Sequence, residues 1–198
     1  MKLKSNIPVL IFIVLSASGC REVPVPKPKG YFRIDLPQKE YIRLDRNNSY
    51  GLPFSFEYPA YGRLNFDTLA PEKEGWFNLE FPSYKAIIYM TYKPVRNDFG
   101  ELMEQTYKMN VKNHIAKADA INEQSINNKE RKVYSVLYDL LGNTATAVQF
   151  YATDSTRNYL RGSLYFNAEP EADSLQPVIN FFREDIIHII ETLEWINN

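Results

Sequence analysis

The sequence has very few residues of the types that carry most metal and nucleophilic chemistry. Its 198 residues include one cysteine, Cys20, and two histidines, His114 and His188. If Cys20 is covalently modified, no thiol remains for a disulfide, a cysteine nucleophile or a thiolate metal site. The histidines lack H-E-x-x-H or any comparable ligand spacing. We therefore expect no metal and no cofactor.

The sequence also lacks catalytic motifs. It contains no G-x-S-x-G, G-x-x-x-x-G-K-[ST] or G-x-G-x-x-G pattern. Asp67, Glu72 and Glu74 lie close to several tyrosines, as glycosidase carboxylates can, but a solvated loop is the simpler interpretation. We predict that the protein is not an enzyme.

There is no excess of positive charge either. The chain has 23 basic and 24 acidic residues, and removal of residues 1–19 would leave 21 and 24. Nucleic-acid-binding domains are normally basic, so nucleic acid is not an expected partner.

The first 20 residues have the pattern of a lipoprotein signal peptide. Two lysines precede a nine-residue apolar run, Ile7 to Leu15, and Ala17-Ser18-Gly19 leads into Cys20. A membrane-spanning helix needs about 20 apolar residues, so residues 1–19 are interpreted as a cleaved signal peptide. Cys20 is then predicted to carry acyl chains such as palmitate. The alternative is a simple secreted protein with an unmodified cysteine.

The residues after Cys20 predict a tether and then an arm. Residues 21–30, R-E-V-P-V-P-K-P-K-G, favour a polyproline II conformation that reaches about 30 Å. The segment Tyr31 to Pro37 is too aromatic for a linker, so we expect it to pack against a single globular domain, residues 31–198. Phe32 and Ile34 are expected to contribute to docking. Tyr31, Phe32 and Arg33 are candidate partner-binding residues.

Alternating apolar and polar residues predict strands over much of the domain. A half-buried strand is predicted around Phe54 to Tyr58, and Tyr61 to Phe66 is a candidate return strand. Two hairpins are predicted, Trp76–Phe81 with Lys85–Tyr92 and Thr144–Thr153 with Asn158–Asn167. A further strand is Lys132–Leu140, with Gln124–Ile126 as its candidate partner. In the second hairpin, we expect Thr144, Thr146, Val148 and Phe150 to share one face.

Two long amphipathic helices are predicted. The first spans about Phe99 to Ile121, begins with a capping box at Asp98 and Glu101, and has an apolar stripe. The stripe comprises Met103, Tyr107, Val111, Ile115 and Ala118. The second spans about Leu175 to Ile196 with Ser174 as its N-cap. Its apolar stripe comprises Leu175, Ile179, Phe182, Ile186, Ile189 or Ile190, and Leu193, and Glu184, Asp185, Glu191 and Glu194 are expected off it.

These elements predict an α+β fold, with an antiparallel sheet of about six to eight strands packed against two long helices. Their order is loosely similar to PsbP/Mog1-like sandwiches, which implies nothing about function. Aromatic residues make up 14% of the chain. Tyr58, Tyr61, Trp76 and Tyr84 are therefore candidates for a glycan or partner groove, although alternating aromatics in strands more often face a core.

Several stretches together resemble one family, the gliding-motility lipoprotein GldD of Bacteroidetes. They are P-K-P-K-G-Y-F-R-I-D-L-P (26–37), P-F-S-F-E-Y-P (53–59), F-Y-A-T-D-S (150–155), Y-L-R-G-S-L-Y-F (159–166) and F-F-R-E-D-I (181–186). The resemblance implies a cell-envelope lipoprotein required for gliding and linked to the type IX secretion machinery. It supplies no catalytic residues.

The expected location is the cell envelope, with the domain anchored by lipid on Cys20. Arg21, in place of an aspartate, favours the outer membrane under the enteric sorting rule, with the domain facing the periplasm. The expected partners are the membrane and envelope proteins of the gliding and secretion machinery. The alternative function is a periplasmic lipoprotein that binds glycan or peptidoglycan.

Overall fold

A long antiparallel sheet dominates the computed structural model, which describes residues 34–45, 51–66, 75–167 and 172–196. Its seven strands lie in the order β3-β4-β5-β9-β8-β7-β6, and a small sheet has the order β1-β2-β10. The strands are β1 (Tyr41–Leu44), β2 (Phe54–Pro59), β3 (Arg63–Phe66), β4 (Trp76–Phe81), β5 (Ala86–Pro94), β6 (Ala120–Asn128), β7 (Val133–Leu141), β8 (Thr146–Thr153), β9 (Asn158–Phe166) and β10 (Glu194–Trp195).

The structure describes two α-helices, as the sequence predicts, but the first is much shorter than expected. Helix α1 spans Phe99–Tyr107 and continues into a π-helical turn, Lys108–Lys112. Helix α2 spans Ala172–Thr192, and a short 3₁₀ turn, Pro82–Tyr84, joins β4 to β5. The predicted α+β class and predominantly antiparallel sheet are confirmed.

Both predicted hairpins are present. Strands β4 and β5 pair antiparallel, with Phe77 opposite Met90, and β8 pairs with β9, with Phe150 opposite Gly162. The candidate pairing of β6 with β7 is also confirmed, over the whole of both nine-residue strands. The pattern predicts these pairs well because alternation and turn spacing fix both the buried face and the register.

The β8–β9 hairpin differs from the prediction at one position. A register shift lies between Thr146 and Val148, which pair with the adjacent residues Tyr165 and Leu164. Such a bulge turns Thr146 to the opposite face from Val148, so the expected common face is wrong for Thr146. At Gly162, a Cβ would lie 2.1 Å from the Phe150 ring, so β9 needs glycine at this point.

The candidate return strand also pairs differently. Residues Arg63–Phe66 form β3, but β3 pairs with β4 rather than with β2. Strand β2 instead lies between β1 and β10 in the small sheet. The short chain between β2 and β3 therefore crosses between two sheets, which alternation within each strand does not reveal.

The first helix ends much earlier than predicted. Ala120 and Ile121, expected at the end of the helix, instead begin β6 and pair with Leu141 and Leu140. Pairing along nine residues of β7 outweighs the helical periodicity of this segment. The predicted capping box is absent, since the Asp98 side chain makes no cap bond and accepts a hydrogen bond from the Arg96 backbone amide instead.

The buried face of α1 is one residue away from the predicted stripe. Leu102, Thr106 and Asn110 are the buried residues of α1 and the π-turn, whereas Tyr107 and Ile115 are 57% and 68% exposed. The spacing of four is as predicted, but the large sheet offers hydroxyl and guanidinium partners to this helix, so polar residues face it.

The second helix supplies the core as predicted, with altered ends. Phe182, Ile186 and Leu193 are fully buried. Ser174 lies within α2 rather than at its N-cap, and α2 ends at Thr192. The Thr192 hydroxyl accepts from the Glu57 amide at 2.9 Å and donates to the His188 carbonyl. The chain then leaves the helix and adds β10 to β2.

The layers position the candidate sites. Helix α2 and the small sheet cover one face of the large sheet, where Phe182 contacts Phe81 and Phe54 contacts Phe77. Helix α1 and the π-turn cover part of the opposite face, where Thr106 contacts Tyr159. The apolar core lies on the α2 side, and a polar layer lies on the α1 side.

Candidate functional site

The arm that enters the domain is held at several points. The Tyr84 hydroxyl donates to the Asp35 carbonyl at 3.2 Å, Leu36 packs against the core, and the Ala60 amide donates to the Glu40 carbonyl at 2.8 Å. Residues 34–40, which continue the predicted arm as far as β1, therefore contact the domain at these points. Tyr31, Phe32 and Arg33, like Cys20, lie outside the described residues.

Ile34 does not dock as expected. Its side chain is 41% exposed, whereas Leu36 is partly buried against the core. An extended chain points alternate side chains to the same side, so Leu36 and Ile34 share a direction, but only Leu36 lies over the core surface. The expected docking of Ile34 is therefore wrong, whereas Phe32 lies outside the described residues.

The strongest attachment of the arm is a polar cluster around Asp185, which we call the clasp. The Lys39 ammonium donates to Asp185 Oδ1 at 2.8 Å and to the Phe181 carbonyl at 2.6 Å. The Tyr41 hydroxyl donates to Asp185 Oδ1 at 2.9 Å, and the Tyr61 hydroxyl to Oδ2 at 2.6 Å. The clasp joins the arm and β1 to α2.

The carboxylate of Asp185 is fully buried at the centre of the clasp. Its side chain has no exposed surface, although it was expected off the buried stripe, next to Glu184. A buried carboxylate is tolerated when a cation and hydrogen-bond donors satisfy its oxygens. Lys39 supplies the cation and also lies 3.9 Å above the Phe181 ring. Asp185 therefore anchors the arm to α2.

The hydroxyl groups of the two clasp tyrosines, Tyr41 and Tyr61, donate hydrogen bonds to Asp185 over the whole physiological pH range. Burial, followed by the hydrogen bond to Asp185, raises the pKa of Tyr61 far above its ordinary value. The same causes, in the same order, raise the pKa of Tyr41. Both phenols therefore stay protonated at any physiological pH, and the clasp keeps its hydrogen bonds across that range.

His188 lies beside the clasp. Its ring stacks on Tyr41 with centroids 3.7 Å apart, and its Nε2 is 2.8 Å from Glu57 Oε2. This histidine packs between α2 and the small sheet. It has no neighbouring serine or cysteine nucleophile among the contacts of the described residues.

A second polar cluster lies on the opposite face of the large sheet. Arg161 of β9 donates through Nη2 to Gln149 Oε1 at 2.8 Å, and through Nε and Nη2 to Asn110 Oδ1 at 3.3 and 3.2 Å. Asn110 is fully buried and belongs to the π-helical turn. A π-turn shifts the side-chain register of a helix, and here it carries the amide that receives Arg161.

The protonation of this cluster follows from its hydrogen bonds. Gln149 Oε1 accepts from Arg161 and from Ser163, so Gln149 Nε2 is the donor to His114 Nε2, 3.2 Å away. Burial, followed by the positive charges of Arg161 and Lys117, lowers the pKa of His114. His114 is therefore neutral with its proton on Nδ1, and Arg161 carries the positive charge of the cluster.

A cavity of about 110 Å³ opens beside Arg161. Arg161 and Lys93 bring positive charge to its lining. Trp76 and Met109 supply apolar walls, and both are partly exposed, at 50% and 42%. The arrangement is suited to binding a small amphipathic molecule.

The four candidate groove aromatics do not form one groove. Tyr61 belongs to the clasp, Tyr84 packs on Phe182, and Tyr58 packs on Phe56. Trp76 lies on the opposite face of the sheet, because its neighbour Phe77 points into the core. The acidic residues Asp67, Glu72 and Glu74 lie outside the described residues. No group of three metal-ligating side chains occurs within residues 34–45, 51–66, 75–167 and 172–196.

Residues 21–195 match the sequence pattern of the family described as gliding motility lipoprotein GldD. The chain belongs to the GldD family. This confirms the resemblance predicted from the five motifs, and it places the chain among lipoproteins of gliding motility. Among proteins with curated functions, none matches this chain in sequence.

One solved structure similar to this GldD-family chain is the solution structure of cyanobacterial PsbP (CyanoP) from Synechocystis sp. PCC 6803. The two share 11% identity with a TM-score of 0.45, over 85% of this chain and 99% of that chain. A likeness at this level carries no functional information. In the part of the chain that the structure describes, neither helix is long and apolar enough to cross a membrane.

Sequence reasoning missed the central residues of both clusters in this GldD-family chain. Asp185 has the buried residues Phe181 and Ile189 four positions away on either side, and this spacing was the available signal for its burial. Asn110 follows Leu102 and Thr106 at spacings of four. A polar residue in such a register is easily assigned to the solvent face, because burial requires partners that only the fold brings near.

Proposed function

We propose that the protein is a lipid-anchored, non-enzymatic assembly component of the gliding and type IX secretion machinery, held on the outer membrane with its domain facing the periplasm. The family supports the motility role. The anchor is Cys20, and the partner contacts lie on the arm at Tyr31, Phe32 and Arg33. The glycan-binding alternative is less favoured because its four aromatic residues are dispersed.

The clasp is the observation that carries this proposal. A passive anchor needs only a flexible connection, since acyl chains alone hold a protein at a membrane. In this chain, the buried ion pair of Lys39 with Asp185 fixes the arm to α2. Tyr41 of β1 and Tyr61 of the turn after β2 add hydrogen bonds to the same carboxylate. The clasp sets the point at which the chain leaves the domain toward the predicted anchor, and a domain held from one defined point presents a preferred surface to neighbouring envelope proteins.

The histidine contacts support a role other than catalysis. His188 is engaged by Tyr41 and Glu57, and His114 by Gln149. Each imidazole has a packing or hydrogen-bond partner that explains its place in the fold. General-base catalysis by either histidine would need its ring within reach of a nucleophile or a bound substrate.

Capture of the lipidated protein from envelope membranes tests the proposal. We expect the wild type to retain envelope proteins of the gliding and secretion machinery, identified by mass spectrometry. Tyr31→Ala should weaken their binding by about thirtyfold or more and reduce their yield accordingly, because aromatic residues at the centre of an interface often contribute about 2 kcal/mol or more. The melting temperature of this variant should equal that of the wild type.

Tyr89→Ala is the matched control. Tyr89 is 47% exposed on the face of the large sheet opposite α2, so its loss should leave the captured set unchanged. An equal yield from wild type and Tyr31→Ala would contradict the assignment of the arm as a partner surface. Retention of peptidoglycan fragments in place of proteins would favour the glycan-binding alternative.

A further inference from the structure

Arg161 differs from the other partly buried cations in having no carboxylate partner among the described residues. Lys39 pairs with Asp185, and Arg183 with Asp139. Within the described ranges, the guanidinium of Arg161 donates to the neutral oxygens of Asn110 and Gln149. A desolvated guanidinium is normally paired with an anion, because neutral acceptors compensate only part of the lost hydration.

Two nitrogen donors, one on Arg161 and one on Asn110, have no acceptor among the described residues. The Nε and Nη2 atoms of Arg161 are engaged, and no hydrogen bond within the described residues uses Nη1. Asn110 Nδ2, on the same amide that receives Arg161, is buried without a partner in this part of the chain. His114 is neutral and therefore does not compensate the positive charge of Arg161. Of these groups, Arg161 lines the cavity, and an anionic acceptor placed there would compensate its guanidinium charge.

The cavity beside Arg161 determines what kind of anion fits. Its volume of about 110 Å³ is several times what one water molecule requires. Lys93 brings a second positive charge to its lining, and Leu102, Met109 and Trp76 give it apolar walls. A phosphate ion is strongly hydrated, so placing it against these apolar walls would be unfavourable. A carboxylate with a short apolar body satisfies both the charge and the walls.

We propose that this cavity binds the carboxylate of a short organic acid, with Arg161 and Lys93 at its charged end and Trp76 and Met109 against its apolar body. Arg161 supplies the directional hydrogen bonds, because a planar guanidinium matches the two oxygens of a carboxylate. Asn110 and Gln149 position the guanidinium. This site is on the sheet face opposite the clasp and does not depend on the proposed role in motility.

Isovalerate is the probe that tests this site, with isovaleramide as its uncharged counterpart. The mature lipidated chain in detergent micelles is titrated with each compound, and the indole N–H signals of Trp76 and Trp195 are followed by NMR. We expect isovalerate to shift the Trp76 signal saturably and the amide to bind at least about tenfold more weakly. Trp195, which donates to the Lys132 carbonyl, is the internal control and should not shift.

Variants of the cavity assign the binding to its residues. Arg161→Gln and Lys93→Gln should each weaken isovalerate binding, the former by about tenfold or more. Met109→Glu should weaken it as well, by placing a negative charge at the partly exposed apolar wall. Lys129→Gln, at an exposed lysine in the turn between β6 and β7, should have no effect. If Arg161→Gln does not fold, the Lys93 and Met109 variants decide the question.

Three results would overturn the proposal. Equal binding of isovalerate and isovaleramide would show that the charge is not recognised. Saturable binding of inorganic phosphate that is tighter than that of isovalerate would assign the cavity to phosphate. The absence of any saturable shift at Trp76 with isovalerate would show that the cavity does not take such an acid.

Discussion

Replacing Asp185 with asparagine is expected to lower the free energy of unfolding by about 3 kcal/mol, as is typical when one partner of a buried ion pair is removed. The carboxylate has no exposed surface and receives Lys39, Tyr41 and Tyr61. An asparagine keeps the shape but removes the charge that compensates Lys39. It also presents its amide hydrogens to groups that are themselves donors. Urea denaturation measures the change.

Glu184→Gln is the control for this experiment. Glu184 is 3.3 Å from the same Lys39 ammonium, but its side chain is 67% exposed. Exposed pairs contribute about 0–1 kcal/mol, so this variant should unfold close to the wild type. Equal destabilisation by the two variants would show that the clasp acts as a surface ion pair and does not hold the arm.

Replacing Phe182 with alanine is expected to cost about 3–5 kcal/mol, the usual range for a fully buried phenylalanine. Phe182 has no exposed surface and contacts Phe81, Tyr84 and Phe166. Its loss opens a cavity between α2 and the large sheet, and this cost is a large share of the roughly 5–15 kcal/mol that stabilises a domain. A thermal melt monitored by circular dichroism measures the shift.

An exposed aromatic residue provides the comparison for Phe182. Tyr89 lies on the other face of the same sheet at 47% exposure, and Tyr89→Ala should change the melting temperature by only a few degrees. A Phe182→Ala protein that melts with the wild type would mean that α2 does not pack on the large sheet as the structure shows.

Asp185 and Phe182 both belong to α2, but the sequence predicts the burial of Phe182 only. Phe182 belongs to an apolar stripe with helical spacing, so its burial follows from periodicity alone. Asp185 interrupts the apolar pattern, and its burial depends on Lys39 and Tyr61, which lie more than 120 positions away in the chain. A one-dimensional pattern records which residues are apolar and carries little information about distant polar partners.

The region from Phe99 to Asn128 shows the same limit for secondary structure. Its residues have helical spacing to Ala118, and yet Ala120–Asn128 forms a strand. Local propensities differ by less than about 1 kcal/mol per residue between common residue types. The nine pairs that β6 makes with β7 outweigh such differences, so tertiary pairing decides where the helix ends.

The arm shows that composition does not predict which side chains contact the domain. Residues 34–37 contact the domain through Asp35 and Leu36, but the aromatic residues on which the expectation rested, Tyr31 and Phe32, lie outside the described residues. The expected docking of Ile34 was wrong, because Leu36 packs on the core and Lys39 reaches Asp185 while Ile34 is exposed. Which side chain docks depends on where Tyr84 and Phe181 lie, and these positions are set by the turn after β4 and by α2.

Incorporation of a labelled fatty acid tests the central claim, that this GldD-family chain acts from a lipid anchor at Cys20. Cells expressing the wild type or Cys20→Ser are grown with an alkyne-tagged palmitate, and the label on the purified protein is compared with gliding on a surface. We expect the wild type to be labelled and motile, and Cys20→Ser to be unlabelled and non-motile. Equal label on the two proteins would contradict the account.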